Sequence, residues 1–315
     1  MDGLGIPRNE PYYIKTSKFK KMDEFKVTHM MIDYVLSDFA NKNKLSLKTA
    51  QCQFINYGDT ELVYVMDFEG EKFTLLIGQP ITEIGAVKKE AGLLSHFAKL
   101  DPETVVAPLD FYKTKAYMFD RSFEWECFIT PYHMQTRCVA STFCGFGVYV
   151  PDPKYHFELF NEKENHIVCA CMVAKLISLY DEKNKCGIAS CKLGGGDFML
   201  EKDWNRENIT AFDTLKHMKL IACRDVLNCS LEQYIEILRS ELGKITYYST
   251  ENERDPNILI NHKNRATMNE ADINAGIALG LKLRKMAREN NSQKESDAKP
   301  QKSSKNAKNP NGEGK

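Results

Sequence analysis

The chain has 315 residues, with 43 Lys and Arg balanced by 43 Asp and Glu, and ten cysteines. A formal charge of zero removes any global pull toward nucleic acid or an anionic membrane, so either partner would need a local patch. Cysteines scattered along so long a chain fit reduced, buried thiols better than a disulfide scaffold, and MDGLGIPRNEPYYIK lacks the basic-then-apolar plan of a leader, so the chain reads as cytoplasmic.

Residues 1–22 are polar with two prolines and read as an irregular arm. Residues 24–43 then place Met31, Tyr34, Val35 and Phe39 at three- and four-residue intervals, the spacing of an amphipathic helix. The segment QCQFINYGDTELVYVMDFEGEKFTLLIG alternates apolar and polar residues between turn signals at Tyr57-Gly58-Asp59 and Glu69-Gly70-Glu71, which predicts a three-strand meander. A helix follows, with Ile84, Val87, Ala91, Leu94 and Phe97 on one face. TVVAPLDFYKTKAYMF and WECFITPYH supply two more strands, and CGFGVYVPDP reads as a loop rich in Gly and Pro.

From His166 the pattern is helical. CKLGGGDFMLEKDW and HMKLIACRDV read as short strands around a glycine-rich turn, and SLEQYIEILRSEL as a helix opened by Ser230. A last helix begins near Asn269-Glu270 and turns Ile273, Ile277 and Leu281 inward. Beyond Arg288 there is no aliphatic side chain larger than Ala and no aromatic one, so that segment cannot offset its ordering entropy. The expected divisions are an arm and helix at 1–44, a strand-rich lobe at 45–150, a helical lobe at 151–288 and a disordered tail at 289–315.

Five strands with one helix after the third, then a mainly helical lobe holding a short hairpin, is the layout of kinase-like phosphotransferases. INYGDTELVYVM resembles the first hairpin of aminoglycoside and choline kinases, FTLLIGQP their third strand, AVKKEAGLLSHF their following helix, and APLDFY with CFITPYH their fourth and fifth strands. The resemblance covers about residues 50–240 and implies an α+β, two-lobed protein kinase-like fold. Phosphoryl transfer on that fold needs a third-strand Lys paired with a helix Glu, a catalytic-loop Asp, and an Asn and a second Asp to hold magnesium. The resemblance puts Glu90 at the helix Glu, for nucleotide binding, but Leu76 at the strand Lys. SCKLGGGDFM matches the catalytic loop with Lys192 at the hydroxyl-orienting Asp and Asp197 at the Asn, and KLIACRDV puts Ala222 at the second metal Asp. An ammonium in place of that carboxylate reverses its charge and removes its acceptor.

The expected function is therefore a non-catalytic, pseudokinase-type binding or scaffold module, needing no cofactor, whose protein or small-molecule partner the sequence leaves open. The alternative is an active small-molecule phosphotransferase using ATP and magnesium at a rearranged acidic site, with Asp197 and Asp225 catalytic and Asp197 the metal ligand. A third reading comes from TMNEADINAGIALG, which resembles the last carboxylate motif of RuvC-like nucleases; two further carboxylate motifs are missing, and a helix start capped by Asn269 explains the same residues.

Blander readings outweigh several sharp ones. Gly194-Gly195-Gly196 lacks the Lys-Ser/Thr of a phosphate loop and reads as a tight turn. Cys169/Cys171 and Cys186/Cys191 lack C-x-x-C spacing and read as core thiols rather than metal ligands. Cys138, beside Arg137, reads as structural, and His96, His133, His166 and His217 as core or surface groups. The weakly basic tail reads as solubilising, because it has no aromatic side chains for nucleic-acid bases to stack on.

Overall fold

The computed structural model describes residues 23–57, 61–78, 85–118, 121–133, 137–142, 145–150, 156–189, 197–201, 203–242 and 268–297. Helix α1 (Asp23–Asn43) precedes β1 (Gln51–Tyr57), β2 (Glu61–Phe68) and β3 (Glu71–Gly78), followed by α2 (Ala86–Ala98), β4 (Asp110–Met118) and β5 (Arg121–Pro131). The five strands form one antiparallel sheet in the order β1-β2-β3-β5-β4. Residues opposite each other in an antiparallel ladder share a face. The register Val63↔Leu76 and Leu76↔Phe128 therefore divides the sheet into two surfaces.

One surface carries Leu62, Tyr64, Met66, Leu75, Ile77, Trp125, Cys127 and Ile129, and α1 covers it with Ile32, Val35, Leu36 and Phe39. Tyr34 does not join them. It is 54% exposed because the inward stripe of α1 runs 32, 35, 36, 39 and 40, leaving Tyr34 turned about 100° from Val35 and edge-on to Tyr112. The other surface carries Glu61, Val63, Thr74, Leu76, Glu126 and Phe128 and faces α2, whose buried residues are Val87, Glu90, Ala91, Leu94, Phe97 and Ala98. Gly78 ends β3 where α2 crosses closely. A Cβ there would lie 2.7 Å from Val87 Cγ2.

After β5 come β6 (Arg137–Thr142), β7 (Gly145–Val150), β8 (His156–Leu159), α3 (Glu162–Ser178), β9 (Cys186–Ile188), β10 (Phe198–Leu200), α4 (Ala211–His217), β11 (Met218–Leu220), β12 (Val226–Asn228), α5 (Leu231–Leu242) and α6 (Glu270–Asp297). The glycine-rich CGFGVYVPDP segment is therefore not all loop, since residues 145–150 form β7. Its ladder to β6, with Val139↔Val148 and Thr142↔Gly145, supplies the backbone partners that make a strand of it. Nor do β6 and β7 extend the first sheet: they join β11-β10-β6-β7-β8, so the strand-rich segment expected to end at 150 contributes to two sheets.

Helix α3 is the axis of the larger core, with Val168, Cys169, Cys171, Met172, Val173, Leu176 and Ile177 all buried. Asn161 caps it, and Glu164 returns the bond to the Asn161 N–H while Arg206 clamps the same carboxylate at 2.6 and 2.9 Å. Helix α6 lies against α3 through Gly276 and Gly280, where a Cβ would meet the carbonyl oxygens of Ala170 and Ala174 at 2.5 and 2.8 Å. This close approach explains the small residues of NAGIALG. Leu281, expected inward, is 40% exposed because it follows Gly280 off the contact stripe. The helix also continues past the expected end at 288, as Lys, Glu and Gln are good helix formers without any apolar face. No helix among the described residues is long and apolar enough to cross a membrane.

The five-strand antiparallel sheet with a helix after β3, followed by a mainly helical segment holding the antiparallel β10/β11 pair, gives an α+β fold.

Candidate functional site

The positions singled out by the resemblance meet where the α2-facing surface of the first sheet adjoins the ends of β10 and β11. Ile221 N–H donates to the Asp197 carbonyl at 2.8 Å, which sets Asp197 and Ala222 on adjoining strand ends. Cys223 N–H donates to Glu90 Oε1 at 3.3 Å, so the segment after Ala222 touches α2 directly. Leu76 packs against the apolar cluster containing Val87, Ala91 and Phe128. Thus Leu76, Glu90, Ala222 and Asp197 stand around one region, whereas Lys192 and Gly194-Gly195-Gly196 lie outside the described residues.

The charged centre of this region is a trio that sequence reading missed in part. Arg224 Nη2 is 3.1 Å from Glu61 Oε2, and Arg224 Nε is 3.8 Å from Glu90 Oε2. Both carboxylates are buried, Glu61 at 5% exposure and Glu90 at 2%. The guanidinium leans toward Glu61. Burial first, then the like charge of Glu61, push the Glu90 carboxyl up to about 8, and Arg224 offsets only part of this. Burial beside Glu61 thus favours the protonated form of Glu90. The signal for Glu61 was a charged residue at an inward position opening β2; Arg224 had none, because its partners are more than 130 residues away in sequence.

Of the acids in the rearranged-site reading, Asp225 lies two residues after the buried Cys223, and Asp197 accepts through its carbonyl from the N–H of Ile221, two residues before it. The Cys223 thiol is pushed up to about 12 by burial, and then by the charges of Glu90, Asp197 and Asp225. Asp225 is 67% exposed and ion-paired to Lys89 at 3.0 Å; the Lys89 bond, with the Val226 N–H, holds its carboxyl below the usual range.

The remaining candidates are ordinary parts of the fold or lie outside the described residues. Cys169 and Cys171 are buried core thiols whose titration burial raises, that of Cys171 to about 12. Cys138 sits on β6, its side chain outside the described residues, as is Cys191. His133 and His217 both approach Glu201 at 3.3 Å. His166 Nδ1 and Asp272 Oδ1 are 2.7 Å apart, and Asn269 Oδ1 accepts from Asp272 N–H at 2.8 Å. Helix capping and this His–Asp contact account for Asn269 and Asp272 in the nuclease-like motif.

No family model matches the chain, and no curated protein matches it. Solved structures with some likeness include a microcompartment-associated aminopropanol kinase, at TM-score 0.35 and 10% identity over 80% of this chain and 86% of that one. The BubR1 kinase domain matches at TM-score 0.31 and 13% identity, over 67% of this chain and 63% of that domain.

Proposed function

We propose that this chain is a pseudokinase-type binding or scaffold module, of the broad aminoglycoside phosphotransferase-like kind, whose cleft is closed by its own ions. The observation that carries this reading is the Glu61–Arg224–Glu90 trio. In a phosphotransferase the helix Glu must be free to hold a Lys that clamps phosphate, and a metal carries positive charge to the transferred group. Here Leu76 stands at the strand-Lys position, Ala222 stands at the second metal-Asp position, and Arg224 is ion-paired to Glu61 with the Glu90 carboxyl beside it. Glu61, at the start of β2, adds negative charge where a polyphosphate would need the opposite.

The test is thermal stability with ATP and magnesium. Ligand at a hundred times its dissociation constant adds about 2.7 kcal/mol, which for a domain of this size raises Tm by several degrees at roughly 2–4 °C per kcal/mol. No shift is expected. A shift that requires both ATP and magnesium overturns the reading.

The bond from Ile221 N–H to the Asp197 carbonyl, which sets Asp197 beside the Ala222 strand end, favours a second reading, an active phosphotransferase with a rearranged metal site. It requires ATP turnover that Asp197→Asn or Asp225→Asn abolishes while the exposed Asp203→Asn does not.

A further inference from the structure

Three unlike metal-binding donors meet near the C-terminal end of α2, beyond the Glu61–Arg224–Glu90 trio. His96 Nε2, an Asp181 carboxylate oxygen and Cys186 Sγ all lie within 4.8 Å of one another, bringing α2 together with the turn joining α3 to β9. Asp181 and Cys186 are buried, at 4% and 7%, while the His96 side chain is 36% exposed and forms the mouth.

We propose that His96, Asp181 and Cys186 bind one zinc ion, which ties α2 to the helical lobe. An imidazole, a carboxylate and a thiolate are the donor types zinc takes, with bonds of about 2.0–2.3 Å, whereas calcium and magnesium prefer oxygen alone. Tetrahedral bonds of that length put donors about 3.3–3.7 Å apart. His96 Nε2 and Asp181 Oδ2 are now 2.9 Å apart, so ion entry requires a sub-ångström opening of that pair and closure of the thiol by no more than about 1.5 Å.

The two ligands on the turn are already oriented. Asp181 Oδ1 accepts from the N–H groups of Lys183 and Asn184, at 2.9 and 3.1 Å, and Asn184 Nδ2 donates to Oδ2 at 2.6 Å. Such outer contacts fix a ligating carboxylate. Asp181 and Cys186 also exchange both backbone hydrogen bonds, at 2.8 and 3.1 Å, across a turn closed by Lys185 in a left-handed conformation at φ 51°. The thiol is thereby held on the same side as the carboxylate. Binding releases the Cys186 Sγ–H proton to solvent, and His96 binds through Nε2 as the neutral tautomer with its proton on Nδ1, leaving a fourth position for water.

The test uses the full chain, stripped with EDTA and titrated with cobalt(II), then zinc(II). One equivalent of cobalt should give tetrahedral visible bands and a thiolate-to-cobalt charge-transfer band, and zinc should displace it. Cys186→Ser should abolish the charge-transfer band. His96→Gln, a half-exposed change that leaves the core intact, should weaken zinc binding by at least about tenfold with an unchanged far-ultraviolet circular dichroism spectrum. Absence of any thiolate band, or zinc affinity unaltered in folded His96→Gln, overturns the proposal. If Cys186→Ser does not fold, the His96→Gln result decides. None of these readouts involves ATP, so they stand apart from the pseudokinase test.

Discussion

Replacing Glu90 by Gln isolates its part in the buried Glu61–Arg224–Glu90 trio. Burial and Glu61 raise the Glu90 carboxyl from 4.5 to about 8. Between those values the unfolded chain has released the proton while the folded chain still holds it, so stability falls as pH rises through that window and levels off above it. Each pH unit across the window corresponds to about 1.36 kcal/mol, so by pH 8.5 the wild type is destabilised on the order of 4 kcal/mol relative to a neutral side chain of the same shape. Near pH 5 the difference falls below about 1 kcal/mol. Glu90→Gln should therefore melt within a few degrees of wild type at pH 5 and roughly 8–16 °C above it at pH 8.5, at 2–4 °C per kcal/mol. The assay is thermal unfolding followed by circular dichroism at both pH values. A difference that does not change with pH refutes the reasoning, and so does a wild type that is the more stable at pH 8.5, because Glu90 would then be an ionised, stabilising partner of Arg224.

Three other outcomes follow from the packing. Gly92, on α2 with open space around its Cα, should accept Ala with a gain of about 0.5–1 kcal/mol, whereas Gly276→Ala, facing Ala170 O and Val173 Cβ at 2.5 Å, should lose about 1–3 kcal/mol; urea unfolding compares the two. Arg206→Ala removes the guanidinium from a Glu164 side chain only 4% exposed and should cost about 3 kcal/mol, measured the same way. His166 is held above its usual pKa by its hydrogen bond to Asp272, so its stabilisation is complete at acid pH and disappears as pH rises through the raised value. Imidazole NMR titration should show that rise in wild type and its loss in Asp272→Asn.

Much of the fold was legible because local rules and tertiary structure agree. Period-two alternation marked β1, β2 and β3, and the spacing of Val87, Ala91, Leu94 and Phe97 marked α2, since a half-buried strand or helix must write its buried face into its sequence. Asn269 declared the start of α6 in the same way. The resemblance singled out Glu90 and Leu76 from the sequence alone, and the structure puts both on the packed interface between α2 and the first sheet. What answers Glu90 could not be read. Arg224 reaches it and Glu61 across more than 130 residues, and only the packing of α2 against the end of β11 puts one guanidinium between two carboxylates. The same holds for β7, whose glycine-rich sequence becomes a strand through its ladder to β6, and for His96 beside Asp181 and Cys186. Periodicity records which face of an element is buried. Which distant face covers it, and whose charges meet there, is decided by how the elements pack.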